Sequence, residues 1–189
     1  EKETYKKKKF LIIFYGNFIP LQGIQYIVKA AKILEGYHNI EFEIIGKGQV
    51  YPDIIKLAEE LKIKNIKFLG RVAHEDLPDY IADADICLGI FGDTDKTQRV
   101  IPNKVYEAIA MKKPVISADT PAMRELFENR KNILFCRQAD PEDLAEKILE
   151  LKNNERLRDL IAQGGYGVFQ TYARPEIIGK DLLAALKTL

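Results

Sequence analysis

Three polar side chains at the start of one predicted helix offer the clearest chemistry in this sequence. Asn103, Lys104 and Glu107 share a helix face, because Glu107 follows the other two by four and three residues. Pro102 suits the first position of that helix, where free backbone N–H groups attract phosphate. An amide, an ammonium and a carboxylate together match a phosphorylated, hydroxylated ligand such as a ribonucleotide. Lys104 and Glu107 fit an ordinary solvated ion pair equally well.

Glycine-containing turns follow the first three apolar segments that predict strands. Residues 16–23, Gly-Asn-Phe-Ile-Pro-Leu-Gln-Gly, would let backbone N–H groups approach a phosphate, although an ordinary tight turn uses the same residue types. Residues 46–48 and 70–72 form the second and third turns. The spacing is not GxGxxG, which argues against a dinucleotide site of the dehydrogenase kind. The turns indicate either a ligand cleft or the ordinary packing of a sheet.

The longest polar loop, residues 93–99, could act as a mobile lid. Asp93 and Asp95 lack a third ligand at metal-binding spacing, so we expect no metal. His38 and His74 lie near a predicted helix end and a helix start, which favours turn or cap roles over catalysis. No set of serine, histidine and acid predicts nucleophilic hydrolysis.

Short apolar segments alternate with helical patterns along the chain. Strands are predicted at 10–15, 41–45, 66–69, 85–91, 114–117 and 132–136, and helices at 23–35, 52–61, 75–82, 105–111, 122–127, 142–152, 155–171 and 177–189. Asp140 is predicted to cap a helix that begins with Pro141. Because parallel strands need crossover helices, the pattern predicts an α/β fold, a Rossmann-like doubly wound parallel sheet of about six strands. Ligands bind beyond the carboxyl ends of such strands.

Composition excludes several classes of protein. The 189 residues are 47% hydrophobic, enough for one sizeable core, and 29 basic against 28 acidic residues leave a net charge of +1. No nucleic-acid partner is therefore expected, and Lys6–Lys9 is interpreted as a solvated leader. Cys87 and Cys136 lie in apolar segments, which is typical of a reduced cytoplasmic chain. No segment approaches the ~20 apolar residues of a membrane span.

The chain divides into three predicted segments. Residues 1–9 are a leader or linker, residues 10–171 form the α/β domain, and residues 172–189 form a C-terminal helix. The first residue is Glu1 rather than Met, which predicts a piece of a longer protein or a processed one. A further domain is then expected in the longer protein.

A series of loose motifs follows a fixed order along nearly the whole chain. The motifs are Gly16…Pro20…Gly23, Ile45-Gly-Lys-Gly48, Phe68-Leu-Gly-Arg-Val72, Ala84-Asp-Ile86 and Glu107-Ala-Ile-Ala-Met-Lys-Lys-Pro-Val-Ile116, with Glu125 beyond. This ordered set resembles the C-terminal, donor-binding domain of the retaining glycosyltransferases of the GT-B fold, group 1.

The resemblance implies that the domain binds a UDP- or GDP-sugar and needs no cofactor or metal. The base would lie near Arg71 and Val72 and the diphosphate near residues 16–23, while Glu107 would hold the ribose hydroxyls. Taken with the turns and the helix start, the predicted substrate-binding residues are Gly16, Asn17, Gln22, Gly23, Gly46, Gly48, Arg71, Val72, Asn103 and Glu107.

Catalysis would need cationic support for the leaving diphosphate. Arg99 and Lys104 are the predicted catalytic residues, with Lys96 as a further candidate. The resemblance also implies that the acceptor binds a missing N-terminal domain, with transfer between the two domains to a glycan or lipid-linked acceptor. The fragment alone is then expected to be inactive. The full-length protein is expected in the cytoplasm, with peripheral association at the inner membrane face left open.

The chain departs from the family pattern at three positions. Arg99 stands eight residues before Glu107, where the family usually has a glutamate, and Asn17 and Gln22 replace an arginine and a lysine. In one account, Arg99 and Lys104 supply the positive charge for the diphosphate from the opposite side of the cleft. In another, the domain binds a different donor or has lost activity, which leaves a non-catalytic nucleotide- or phosphate-binding module as the alternative function. A nucleotide-sugar epimerase of the same architecture is a third hypothesis.

Overall fold

Six parallel strands form one sheet in the computed structural model, which describes residues 9–37 and 39–187. The strands are β1 (Phe10–Tyr15), β2 (Ile40–Ile45), β3 (Ile66–Gly70), β4 (Ile86–Leu88), β5 (Val115–Ala118) and β6 (Leu134–Cys136). Their spatial order is β3-β2-β1-β4-β5-β6, and each neighbouring pair is parallel. The predicted doubly wound α/β fold is confirmed.

Helices cover both faces of the sheet. They are α1 (Ile24–Ile33), α2 (Tyr51–Glu60), α3 (Leu77–Asp83), α4 (Asn103–Ala110), α5 (Pro121–Arg124), α6 (Pro141–Asn153), α7 (Glu155–Val168) and α8 (Pro175–Leu186). The first core cluster contains residues of α1, α2 and α6, and the second contains residues of α3, α4 and α5. Successive residues of β1 enter different clusters, Ile12 the first and Ile13 the second. This alternation explains why a strand covered on both faces is apolar throughout.

The order of the strands leaves a crevice beside β1. The chain runs outward from β1 to β3, then returns to place β4 on the other side of β1. The loops after β1 and β4 still touch, because the N–H of Phe91 donates to the Gln22 carbonyl at 3.0 Å and that of Gly92 to the Leu21 carbonyl at 3.2 Å. A ligand site is expected at this switch in direction.

Several element boundaries differ from the predicted ones. Pro102 is the N-cap of α4 rather than its first helical residue. The strand predicted over 85–91 is shorter, because the N–H of Ile90 binds the Ser117 hydroxyl instead of a strand carbonyl. The helix predicted to reach Thr171 leaves α geometry after Val168 and ends in one π turn, Phe169–Ala173. The predicted Asp140 cap is confirmed, since its side chain accepts the N–H of Asp143 at 2.9 Å.

The ends of the chain carry few packing contacts in the described residues. Lys9 pairs with Glu41 at 2.9 Å, while the rest of the predicted leader, residues 1–8, and the predicted turn residue His38 lie outside the described residues. Along α8 the large apolar side chains Ile178 and Leu182 are exposed. Within 9–37 and 39–187, no helix is long and apolar enough to cross a membrane. The predicted division at residue 171 stays a prediction.

Gly23 is expected to be essential for stability. Its φ of +66° is left-handed, and an added Cβ would lie 2.4 Å from the backbone N of Gly92. Gly23→Ala should lower the free energy of unfolding by about 2–3 kcal/mol, measured by urea denaturation. Gly179→Ala is the control, because an added Cβ in α8 meets nothing within 4 Å and should raise stability by about 0.5–1 kcal/mol. Equal stability of G23A and the parent chain would contradict the packing argument.

Candidate functional site

A cavity of about 490 Å³ opens at the carboxyl ends of β1, β2 and β3, against the start of α4. It brings together residues from the three predicted glycine turns and the predicted helix start. Its lining includes nine predicted site residues: Gly16, Asn17, Gln22, Gly46, Arg71, Val72, Asn103, Lys104 and Glu107. Their ligand roles stay predictions, but sequence positions up to 91 residues apart meet at one site, as the fold argument requires.

Lys104 is the most unusual side chain of the cavity. It is only 7% exposed, and its Nζ donates to the Gln22 Oε1 at 2.6 Å. The same Nζ lies 3.6 Å from the centre of the Phe14 ring. In the part of the chain that the structure describes, no carboxylate oxygen lies within 4 Å of this nitrogen. The lysine therefore has a neutral acceptor and an aromatic face, but no close counter-ion.

These contacts do not compensate for burial of the charge. Removing an ammonium from water costs several kcal/mol even after relaxation. Accordingly burial holds the pKa of Lys104 well below its usual value, and the more distant charge of Glu107 only partly opposes this shift. An anion in the cavity would supply the missing interaction.

Two glycines make room for the lysine and for the neighbouring strand end. Gly16 has φ +146°, and a Cβ there would lie 2.9 Å from the Lys104 Nζ. At Gly46, with φ +129°, a Cβ would lie 1.9 Å from the Gly16 carbonyl oxygen. Gly46 therefore requires glycine for packing, and the left-handed backbone at Gly16 favours glycine, quite apart from any ligand.

Tyr15 connects the sheet to the start of α4. Its hydroxyl donates to the Lys104 carbonyl at 2.8 Å. Burial raises the pKa of Tyr15, and the charge of Glu107 adds to that shift, so the phenol stays neutral. The bond fixes the first turn of α4, where Pro102 provides no capping side chain. The first N–H groups of α4 are thus left at the edge of the cavity.

Three predicted site residues lie elsewhere. Gly23 packs against Gly92, and a Cβ at Gly48 would lie 2.7 Å from the backbone of Phe18, so neither lines the cavity. Arg99 is exposed, also lies outside the lining, and its Nε donates to the Asp95 carbonyl at 3.3 Å. The geometry gives these two glycines a packing role.

Sequence reasoning missed other residues that line the cavity. The sequence predicts Tyr15 as part of a strand and His74 as a cap residue, and it assigns no ligand role to Lys47 or Leu77. Tyr15 is the last residue of β1 and Lys47 is the second residue after β2, whereas His74 and Leu77 lie in the helical segment that follows the loop after β3. The position of a residue at or directly after a strand end is therefore a usable signal for Tyr15 and Lys47, but not for His74 and Leu77.

The polar loop 93–99 is attached to the rest of the domain. Thr97 is fully buried and shares a 2.9 Å hydrogen bond with the Thr94 hydroxyl. The Gln98 amide donates to the Gln138 side chain, whose own amide donates to the Gly92 carbonyl. These bonds favour a fixed loop over the predicted mobile lid. Among the residues described, no cluster of three metal-ligating side chains occurs.

The family follows from a sequence comparison. The family model described as glycosyl transferases group 1 matches residues 1–168. The chain belongs to this family. An uncharacterized glycosyltransferase of Methanocaldococcus jannaschii is 27% identical over 160 residues, which cover 81% of this chain and 41% of that protein. The poly(ribitol-phosphate) alpha-N-acetylglucosaminyltransferase of Staphylococcus aureus is 24% identical over 88% of this chain and 33% of its own length. The chain thus spans less than half of either relative.

Solved structures show the same fold. The C-terminal domain of a glycosyl transferase group 1 protein of Francisella tularensis has a TM-score of 0.77 and 23% identity over 89% of this chain and 88% of that chain. The Anabaena protein HepE, crystallised with UDP-glucose, has a TM-score of 0.84 and 19% identity over 96% of this chain and 49% of that one. The chain has the fold of the C-terminal domain of a GT-B glycosyltransferase.

The burial of Lys104 predicts a specific dependence of stability on pH. Because the pKa is lower in the folded protein, the unfolded chain binds the extra proton between the folded pKa and 10.5. The free energy of unfolding of the parent chain, relative to that of Lys104→Met, should therefore rise with pH in that window. The rise should be at most about 1.4 kcal/mol per pH unit. Urea denaturation of both proteins from pH 6 to 10 measures it.

Lys47→Met is the matched control, because Lys47 lines the same cavity with an exposed side chain. This variant keeps Lys104, so its stability relative to Lys104→Met should rise with pH as that of the parent chain does. Parallel pH profiles for the parent chain and K104M would refute the account of Lys104.

Proposed function

We propose that this chain is the donor-binding domain of a glycosyltransferase that uses a UDP- or GDP-sugar. The observation that carries the proposal is the buried Lys104 at the start of α4. Within residues 9–37 and 39–187, no carboxylate pairs with this lysine and no side chain caps the helix. A diphosphate in the cavity would pair with this ammonium and accept from the helix N–H groups. Structural neighbours crystallised with UDP or UDP-glucose support the proposal.

The position of Lys104 accounts for one departure from the family pattern. The family commonly has a lysine where this chain has Gln22. In this chain the Lys104 Nζ donates a hydrogen bond to the Gln22 side chain. A cation from α4 therefore lies next to the position that the family lysine would occupy. Lys104 is proposed to support the leaving diphosphate without a metal ion.

Glu107 and the turn after β3 are proposed to bind the nucleoside. Glu107 lies one turn beyond Asn103 on α4, so its carboxylate can accept from two ribose hydroxyls. Arg71, Val72 and His74 line the other end of the cavity and are proposed to surround the base. The base, ribose and diphosphate would then extend in order from β3 towards α4.

The complete enzyme is proposed to need a second domain. The chain spans 33–41% of the two relatives described above, so more than half of a comparable protein is left for binding the acceptor. Transfer to a glycan or lipid-linked acceptor would occur between the two domains, and this chain alone would be inactive. The proposed location is cytoplasmic, with peripheral association of the full-length protein at the inner membrane face.

A non-catalytic nucleotide-binding module is the second candidate. The observation that favours it is Arg99, which replaces the glutamate of the family pattern and donates to the Asp95 carbonyl outside the cavity. Such a module would bind the nucleotide at the same residues but transfer no sugar.

Titration calorimetry with UDP and GDP tests the binding proposal. Glu107→Ala should weaken binding of the preferred nucleotide about 10- to 100-fold, because charge-assisted hydrogen bonds to the ribose are lost. Glu128→Ala is the control, since Glu128 is exposed and pairs with Lys131 far from the cavity lining. Excess EDTA should not change the affinity. Absence of heat at millimolar nucleotide with folded protein would overturn the proposal.

Sugar release by the full-length protein separates the two candidates. A transferase is expected to hydrolyse its UDP- or GDP-sugar slowly in the absence of acceptor, and Lys104→Met should lower kcat for this reaction about 100-fold through loss of charge stabilisation. Product analysis by chromatography measures both rates. Tight binding of the nucleotide with no hydrolysis or transfer above the buffer rate would instead favour the non-catalytic module.

A further inference from the structure

A second groove adjoins the nucleotide cavity on the other flank of α4. It lies between α4, the two residues that follow α5, the π turn Phe169–Ala173 and α8, and has a volume of about 700 Å³. Asn103 and Glu107 line both spaces, so the two adjoin at the start of α4. A ligand in the groove would reach Asn103, next to the lysine that is proposed to bind the donor diphosphate.

The lining of this groove is acidic and aromatic. Glu107 and Glu125 provide two carboxylates, and the described residues that line the groove include no lysine or arginine. The charge of Glu125 reaches Tyr106, whose pKa is raised mainly by burial and further by that carboxylate. A phosphate or another anion would be repelled here, in contrast to the cavity around Lys104.

The remaining side chains suit a neutral, hydroxylated ligand. Tyr106 and Tyr172 present aromatic rings, and Leu126 and Ile178 add apolar surface. A sugar ring has apolar C–H faces that can pack on such rings. Its hydroxyls can donate to the two carboxylates and exchange hydrogen bonds with the Asn103 amide.

We propose that this groove binds an uncharged glycan segment of the acceptor. The proposal rests on the proposed transferase function, because it takes the nucleotide cavity as the donor site. The groove is larger than the cavity assigned to a nucleoside diphosphate, 700 against 490 Å³, so it has room for more than the single sugar of a donor. The shared residues Asn103 and Glu107 would bring the end of the glycan to the donor.

Tyrosine-ring NMR on this chain tests the proposal. The probes are four neutral trisaccharides, maltotriose, cellotriose, mannotriose and triacetylchitotriose, each added to about 10 mM. At least one should shift the ring signals of Tyr106 and Tyr172 together. Tyr172→Ala should weaken that binding at least about fivefold, through loss of one stacking face. Tyr172 is 60% exposed, so the variant is expected to fold.

UDP and UDP-glucose titrations separate this proposal from the function on which it rests. Y172A should bind UDP as the parent chain does, because Tyr172 does not line the nucleotide cavity. Tyr37→Ala, a similarly exposed tyrosine away from the groove, should leave trisaccharide binding unchanged.

Three results would overturn the proposal while leaving UDP binding intact. In the first, none of the four trisaccharides shifts the two rings. In the second, Y172A binds the effective trisaccharide as tightly as the parent chain. In the third, UDP-glucose shifts both rings and UDP does not, which would assign the groove to the donor sugar.

Discussion

The site depends on one costly burial, that of the Lys104 ammonium. Phe14, Gly16 and Gln22 surround the nitrogen with a ring face, an open backbone and one neutral acceptor. These contacts stabilise the charge less than water does, which is why burial lowers the pKa. The cavity therefore holds an amine whose charged form an anionic ligand would stabilise. Without such a ligand, packing of the surrounding fold has to offset the desolvation of this group.

Close approaches of the backbone maintain this arrangement. Gly46 lies against the carbonyl of Gly16, and Gly23 lies against Gly92, in both cases too close for any Cβ. The Tyr15 hydroxyl holds the first turn of α4 through the Lys104 carbonyl. Several glycines that resemble phosphate-binding residues thus serve to bring strand ends together. The site needs these glycines because they let the loops around it pack closely, whether or not they touch the ligand.

The start of α4 separates two environments of opposite character. On one side, Lys104 and free helix N–H groups favour anions, and on the other Glu125 and Glu107 favour neutral hydroxyl donors. Glu107 and Asn103 belong to both sides. A transferase has to bind a charged donor next to an acceptor, so this division fits the proposed chemistry. Under this proposal a single helix would serve two ligands by presenting different faces.

Much of the architecture could be predicted from the sequence. The strands and most helices follow from apolar periodicity, and the helix cap at Asp140 follows from local residue types. The boundaries that differed depend on distant contacts, as where the Ser117 hydroxyl binds the N–H of Ile90 and ends β4. No local pattern contains that information, because the two residues are 27 positions apart.

The nineteen residues from Arg99 to Ser117 illustrate the same limit at the site. By itself the sequence determined the doubly wound fold, the edge of the sheet where a ligand would bind, and the pairing of Asn103 with Glu107 on one helix face. Only the tertiary structure decided that Lys104 is buried against Gln22 while Arg99 turns outward. Periodicity and spacing report short-range geometry, whereas burial and the charge state of a side chain depend on everything that packs around it.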